Sequence, residues 1–356
     1  MIIKPVFIIG APRSGTSLLQ KILRGHPAFW SLPSESDIVW DQFCHPRLRE
    51  WESEAMEAED ITPEAAESVP RQLENFMCPA RFWQSVEKTN LIWGFRRMPH
   101  VRYGLGWIYK HVFPLIPRLM WRGKPKRFID KTASNCFRLG YVNEVFPDSK
   151  IIYPSRDGRN NINSLINGWR HPTRFFTYDV PETLRLKGYC HKKWKFVLPP
   201  GWRDYVDRSL EEVCAFQWRS CHEAMLTECA KSKYNGRVFQ IQLERLVAEP
   251  AYWLRQLAEF VELPYDYYFQ RVASNFPVVN SPDNDTSQDK WKYQNREMVE
   301  SILPMIQPMM EQLGYSAEPS AITYEDNLDV SAHSAVKNGM GRPGAPSGAD
   351  STSCSL

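Results

Sequence analysis

The sequence predicts an α/β fold, a three-layer sandwich with a central parallel sheet and a helical and irregular cap. Short continuous apolar runs end in turns, as strands buried on both faces do. Helical segments with one apolar side follow them, the alternation that builds a parallel sheet covered on both faces. Between the first run and the second lies a long stretch rich in Trp, Phe, Tyr, Pro and Arg with poor periodicity, which reads as a cap over the sheet.

Val6–Ile9 is the first run, closed by a Gly/Pro turn, and Ser14 to Arg24 follows as a helix with Leu18, Leu19, Ile22 and Leu23 on one side. From Glu50 to Glu67 the charges are all acidic, which reads as a solvated helical lid or insertion. Residues 82–128 form the irregular part of the cap. Arg127–Lys131 is a second short strand. Lys150–Tyr153 is a third, entered through the turn Phe146–Ser149 and followed by a helix from Arg159. Leu210 to Lys231 is a long amphipathic helix, and Val238–Ile241 a fourth strand with a helix at Ala251 to Val261 behind it. Glu297 to Leu313 is the last helix, with Gly314 as its C-cap. The expected organisation is one domain over 1–326, with cap insertions at about 36–126 and 170–208. The tail 327–356 is rich in Ser, Gly, Ala and Pro and is expected to be disordered.

Composition narrows the function. Apolar residues are 43% and charged residues 24% of the 356, ordinary for a globular protein. Lys plus Arg number 44 against 41 Asp plus Glu, a net +3 that argues against a nucleic-acid coat but leaves room for a local anion pocket. The 8 cysteines form no C-x-x-C pair, so a zinc ribbon is not expected, and a reducing compartment is the simpler reading. The first apolar run is too short for a signal sequence, and Leu105 to Trp121 is broken by Lys110, Pro114, Pro117 and Arg118. The expected location is the cytoplasm.

The sharpest signal is Gly10-Ala11-Pro12-Arg13-Ser14-Gly15-Thr16-Ser17, between a strand and a helix. A Gly-rich turn there points successive backbone N–H groups and a helix N-terminus at one spot, which suits a phosphate. The ATP-binding loop G-x-x-x-x-G-K-[ST] carries a Lys after its second Gly. Here Thr16 stands in that place and the cation, Arg13, lies inside the loop. Such a loop suits a donor whose transferred group carries less charge than a γ-phosphate with metal.

Pro12-Arg13-Ser14-Gly15-Thr16-Ser17 resembles the 5′-phosphosulfate loop of sulfotransferases that use 3′-phosphoadenosine-5′-phosphosulfate (PAPS). Ile151-Ile152-Tyr153-Pro154-Ser155-Arg156-Asp157-Gly158-Arg159, with Ser164 on the helix beyond, resembles the family's second motif. There Arg156 offers a bidentate fork and Ser164 a hydroxyl for a 3′-phosphate. Further similarity over most of 5–315 includes Asp130-Lys131-Thr132, Phe146–Lys150, Glu244-Arg245-Leu246-Val247 with Pro250, and Lys290-Trp291 before a helix ending at Leu313-Gly314-Tyr315. Two positions depart from the pattern: Gly158 stands where Pro is usual, and Leu243 where many members place a Tyr near the adenine.

The resemblance implies a P-loop-NTPase-like fold and metal-free transfer of a sulfuryl group from PAPS to an acceptor hydroxyl, leaving adenosine 3′,5′-bisphosphate. Ala133 occupies the position of the cytosolic branch's base histidine. The chain is similar instead to the tyrosylprotein and bacterial branch, whose base is a Glu shortly after a His-Pro pair. Here the pair is His26-Pro27 and the base is Glu35. His26 itself reads as a structural residue at a helix end, and His100 and His111 as substrate-side or surface residues. Lys131 neutralises the leaving oxygen, and Arg13 with the amides of Ser14, Gly15, Thr16 and Ser17 holds the 5′-phosphate. Lys290 either reaches the 3′-phosphate or is simply solvated.

Phe29, Trp30, Trp40, Phe82, Trp83, Trp93, Phe95, Tyr103, Trp107 and Tyr109 cluster before Lys131 and suit an apolar, lipid-like or ring-bearing acceptor, a carbohydrate included. The segment 109–122 interleaves aromatic and basic residues as a peripheral membrane contact would. The other reading of all these aromatics is cap core. Two rival functions remain at this level: a phosphate-loop kinase of a small alcohol, and a non-catalytic nucleotide-binding module docking a partner through Glu50–Glu67.

Overall fold

A computed structural model describes residues 2–32, 35–88, 127–186, 189–277 and 289–316, without the side chains of 78–88 and 190. Its strands are β1 (Val6–Ile8), β2 (Phe29–Trp30), β3 (Arg127–Lys131), β4 (Lys150–Ser155), β5 (Phe176–Leu186), β6 (Tyr189–Lys195) and β7 (Val238–Gln242). Five of them make one sheet in the order β2–β3–β1–β4–β7, and every pairing in it is parallel. The pleat sends alternate residues to opposite faces. Phe7, Phe128 and Ile151 point into a cluster with Trp30, Trp40 and Tyr153. Val6, Ile8, Ile129 and Ile152 point into another with Leu18, Leu19, Ile22 and Leu23 of the helix Thr16–Gly25. Two apolar faces on one sheet make the three-layer sandwich, and each fully buried Leu or Ile contributes roughly 1.5–3 kcal/mol. Residues Met1–Tyr315 form one compact unit. The tail at 327–356 and the irregular stretch 89–126 lie outside the described residues.

Register decides where chemistry can happen. Ile8 lies between Lys131 of β3 and Ile152 of β4. The loop leaving β1, the end of β3 and the end of β4 therefore share one edge, the carboxyl ends of parallel strands where open α/β sheets bind ligands.

Several elements differ from the sequence expectation. The short strand β2 follows the first helix directly and pairs with β3. The acidic segment 50–67 is more than a solvated lid. It runs into the helix Pro63–Lys88, which buries Ala65, Val69 and Leu73 on one face. Within the second cap insertion, β5 and β6 form an antiparallel ribbon with register shifts, inside which Pro181 sits. A short helix, Trp291–Gln294, precedes the expected last helix, which is two pieces, Arg296–Ser301 and Leu303–Gln312. Pro304 and Pro308 lie in the last of these, where each removes a backbone donor. Gly314, at φ 78, ends it as expected, and the Tyr315 N–H donates to Met310 O at 2.9 Å.

Candidate functional site

The loop after β1 is built for close approach. A Cβ on Gly10 would sit 2.7 Å from the backbone oxygen of Pro154, so the chain can pass there only as glycine. Gly15 has φ 96 and Arg13 φ 73, both left-handed. A non-glycine residue pays about 1–2 kcal/mol for that conformation, and such strain gathers at functional sites. The helix Thr16–Gly25 begins at Gly15 with no side-chain cap, so its first amides face the loop. Ser14 Oγ is buried and has no hydrogen-bond partner. An orphaned hydroxyl, uncapped amides and a cradle without Cβ atoms together fit a phosphate-sized anion.

The second motif touches the first. Arg13 Nε donates to Ser164 Oγ at 3.0 Å, and Arg156 Nη1 donates to Arg13 O at 3.4 Å. Burial, then the charges of Arg156 and Arg174, lower Arg13 to about 10. Burial also lowers Arg156, with Glu244 and Asp157 opposing. Cations crowded in this way are stabilised by a bound anion. Phe175 adds an aromatic face, with the guanidinium of Arg13 5.4 Å and that of Arg174 5.2 Å from its ring centroid.

The turn that presents Arg156 is braced from below. Asp157 caps the helix Gly158–Arg170, accepting from the amides of Arg159 and Asn160. Its own N–H donates to Glu244 Oε1 at 3.1 Å, and Tyr315 Oη donates to Glu244 Oε2 at 3.0 Å. Lys290 is only 8% exposed, so it is not a solvated lysine. The Asp289 N–H donates to Asn160 Oδ1 at 3.1 Å, and the side chains of Gln294 and Asn295 bond Asn163 and Asn167. These amide contacts dock the Lys290 segment on the helix that carries Ser164.

Lys131 and Glu35 form an ion pair at the end of β3, their side chains 13% and 37% exposed. Burial raises Glu35 above the usual carboxylate range, the Lys131 charge opposes that, and Asp37 adds to it. Asp37 in turn is bound by Arg138, whose side chain is fully buried, at 3.2 Å. Ser36 and Thr132, the residues that follow Glu35 and Lys131, are also bonded to each other: the Ser36 N–H donates to Thr132 Oγ1 at 3.1 Å. Beneath them Asp130 is buried and raised to about 6 by desolvation, with the nearby hydroxyls of Ser36 and Thr132 opposing the rise.

Glu54 is a buried carboxylate that sequence reading passed over. It accepts from Tyr178 Oη at 2.5 Å, Ser134 Oγ at 2.9 Å and the Leu198 N–H at 3.0 Å, tying the β5–β6 ribbon to the turn after Lys131. Burial raises it to about 7. Between about 4.5 and 7 the folded state keeps this proton while the unfolded chain has released it, so its contribution to stability falls as pH rises. Glu54→Gln is expected to flatten that fall, read as the change in denaturant midpoint between pH 5 and 7.5 in variant and wild type. Equal slopes would contradict it. Glu244, Tyr315 and Arg174 were likewise not assigned to the site from sequence. Glu244 and Tyr315 lay within the quoted similarity, and nothing local marked Arg174.

Residues 5–267 match the sulfotransferase family over most of the chain. The chain belongs to that family. This sulfotransferase is 20% identical over 344 residues to protein-tyrosine sulfotransferase 1 of Danio rerio, covering 90% of this chain and 74% of that one. It is 23% identical over 325 residues to the protein-tyrosine sulfotransferase of Drosophila melanogaster, covering 87% of this chain and 51% of that one. Sulfotransferase STF9 from Mycobacterium avium is similar in structure at a TM-score of 0.47 and 16% identity, over 89% of this chain and 78% of that chain.

Three aromatics of the expected acceptor wall, and His26, are buried in the sulfotransferase. Phe29, Trp30 and Trp40 are core residues at no more than 1% exposure, not an acceptor wall, and Phe128 packs 4.6 Å from Trp30. The remaining aromatics of that set, with His100 and His111, lie outside the described side chains. His26 is structural: its ring accepts from the Ala28 N–H, pairs with Asp266 at 3.2 Å and stacks on Phe269. Leu243 packs on the phosphate-loop glycine, its Cδ1 2.8 Å from where a Gly15 Cβ would be. Among the described residues no His/Cys/Asp/Glu cluster could hold a metal, and no helix is long and apolar enough to cross a membrane.

Gly158 is tightly packed by side chains. A Cβ there would lie 3.0 Å from two ring carbons of Trp218 and 3.2 Å from Met310 Cγ. Gly158→Ala, and Pro still more, is expected to cost about 1–3 kcal/mol by overpacking. Chemical denaturation checks this, and an unchanged midpoint for Gly158→Ala would contradict it.

Proposed function

We propose that the protein transfers the sulfuryl group of PAPS to an acceptor hydroxyl, in line and without a metal, with Glu35 as base. The observation that carries this reading is the Lys131–Glu35 ion pair, set at the same strand edge as the loop Gly10–Ser17. Arg13 and the amides of Ser14–Ser17 would hold the 5′-phosphate, and Arg156, Ser164 and Lys290 the 3′-phosphate. When bound, PAPS supplies a sulfur already joined to a good leaving group, the 5′-phosphate.

Glu35 accepts the proton of the acceptor hydroxyl as its oxygen bonds to sulfur. The bond from sulfur to the 5′-phosphate oxygen breaks, and Lys131 Nζ meets the charge that develops there. The proton ends on Glu35 and the charge on the released bisphosphate. Burial of Glu35 raises its affinity for a proton, as a base requires, and the charge of Lys131 opposes that rise. Thr16 in place of the ATP-loop lysine, with arginines supplying the charge, favours this reading over a kinase.

Thermal-shift titration is the first test. Adenosine 3′,5′-bisphosphate is expected to stabilise the protein and ATP–Mg²⁺ not to. Radiolabelled PAPS would then be offered with a tyrosine peptide, apolar alcohols and carbohydrates. The peptide is included because the Danio and Drosophila relatives are protein-tyrosine sulfotransferases. Stabilisation by ATP–Mg²⁺ alone would contradict the reading in favour of a kinase. Bisphosphate binding with no acceptor turned over would favour a non-catalytic module.

A further inference from the structure

The reaction proposed above needs a carboxylate and an ammonium from distant parts of the chain to meet the same small volume. Glu35 lies outside regular structure before the helix Asp37–Cys44, and Lys131 ends β3. Their ion pair joins them, but neither side chain is wholly buried. The residues that follow them are different. Ser36 and Thr132 are both completely buried, at 0% exposure.

Two contacts join them. Thr132 Oγ1 accepts the Ser36 N–H at 3.1 Å, and the two hydroxyl oxygens are 3.2 Å apart. Ser36 Oγ also accepts from the indole Nε1–H of Trp40 at 2.8 Å, and Trp40 is itself at 0% exposure. Asp130 lies beside both hydroxyls and takes the Asn135 amide at 3.4 Å. Asp130 sits in β3 opposite Phe7 of β1, so the network is anchored in the middle of the sheet. One residue further along, Asp37 is held by Arg138 at 3.2 Å, and Arg138 Nε also donates to Asn135 Oδ1 at 2.8 Å. Three successive residues, Glu35, Ser36 and Asp37, thus meet Lys131, Thr132 and Arg138.

We propose that Ser36 and Thr132 are positioning residues for sulfuryl transfer: the hydrogen bond between them sets Glu35 against Lys131. The inference rests on the proposed role of Glu35 and adds the device that places it. Neither residue touches the reacting atoms. A shift of about 1 Å in a catalytic group can cost on the order of a hundredfold in rate, so a buried bond adjacent to both groups carries leverage.

The test compares Thr132→Val, nearly the same shape without the acceptor, with Thr132→Ser, which keeps it, and Ser36→Ala runs in parallel. Each full-length variant is measured for binding of adenosine 3′,5′-bisphosphate, for kcat and acceptor KM, and for the carbon-13 titration of the Glu35 carboxyl. The expected result for Thr132→Val is bisphosphate affinity within about twofold of wild type, kcat lower by roughly ten- to a hundredfold, and a displaced Glu35 titration. Thr132→Ser is expected within about threefold of wild type in kcat. Ser36→Ala, which keeps its backbone N–H, is expected to lose several-fold in kcat and to remain informative if Thr132→Val does not fold. A lowered melting temperature with unchanged kcat and unchanged Glu35 titration would overturn the proposal and leave a purely structural bond. The two readings can fail separately. Full turnover in Glu35→Gln would refute the base, whereas a Glu35 titration that moves in Thr132→Val would still uphold the clamp.

Discussion

Arg156→Ala is expected to abolish donor binding, raising the Kd for adenosine 3′,5′-bisphosphate by at least about a hundredfold. Arg156 leaves the end of β4, where its guanidinium reaches the backbone oxygen of Arg13 and lies within the fields of Glu244 and Asp157. It is half-buried beside Arg13, already held at the site without a phosphate. A planar fork is matched to a phosphate in a way an ammonium is not, so Arg156→Lys is expected to recover only part of the affinity. Arg13→Ala should lose at least as much, because Arg13 serves the loop and also bonds Ser164. Titration calorimetry reads both. Because Asp157 still caps its helix and Glu244 still accepts the Asp157 amide, the folded structure should survive. Wild-type affinity in a folded Arg156→Ala would remove the second motif from the donor site.

The second large effect is on turnover. Glu35→Gln keeps the size and the hydrogen bonding of the side chain but cannot take a proton. It is expected to lower kcat by roughly 10²–10⁴-fold, the usual range for a general base, with bisphosphate affinity nearly unchanged. The rate should also fall as pH drops through the raised Glu35 titration in the wild type, since the carboxylate is the active form and protonation removes it. In Glu35→Gln that limb is expected to vanish. A single-turnover assay over pH 5 to 8 reads both, and an unaltered rate would place the base elsewhere.

Much of this was legible in the sequence where chemistry and backbone geometry coincide. Gly10 and Gly15 announce a loop that only glycine can make, and the structure supplies the reason in the Pro154 oxygen and the left-handed Gly15. Leu18, Leu19, Ile22 and Leu23 gave the face of the first helix because their spacing is helical. Elements with weak local signals escaped. A two-residue strand such as β2 has no periodicity to read. The β5–β6 ribbon was hidden by Pro181, which argues against a strand when seen alone, and its register shifts show how the pairing absorbs the irregularity. Glu54 and the Ser36–Thr132 bond were invisible for another reason: they join residues far apart in the chain, and burial alone gives a carboxylate or a hydroxyl its importance. Trp30 and Trp40 left two readings open because aromatic clusters look alike in sequence whether they line a cleft or fill a core.

The most direct test is a crystal structure of the protein with adenosine 3′,5′-bisphosphate. The 5′-phosphate should lie on the amides of Ser14–Ser17 beside Arg13, and the 3′-phosphate between Arg156 and Ser164. A nucleotide bound elsewhere, or in the reverse direction along this edge, would contradict the account.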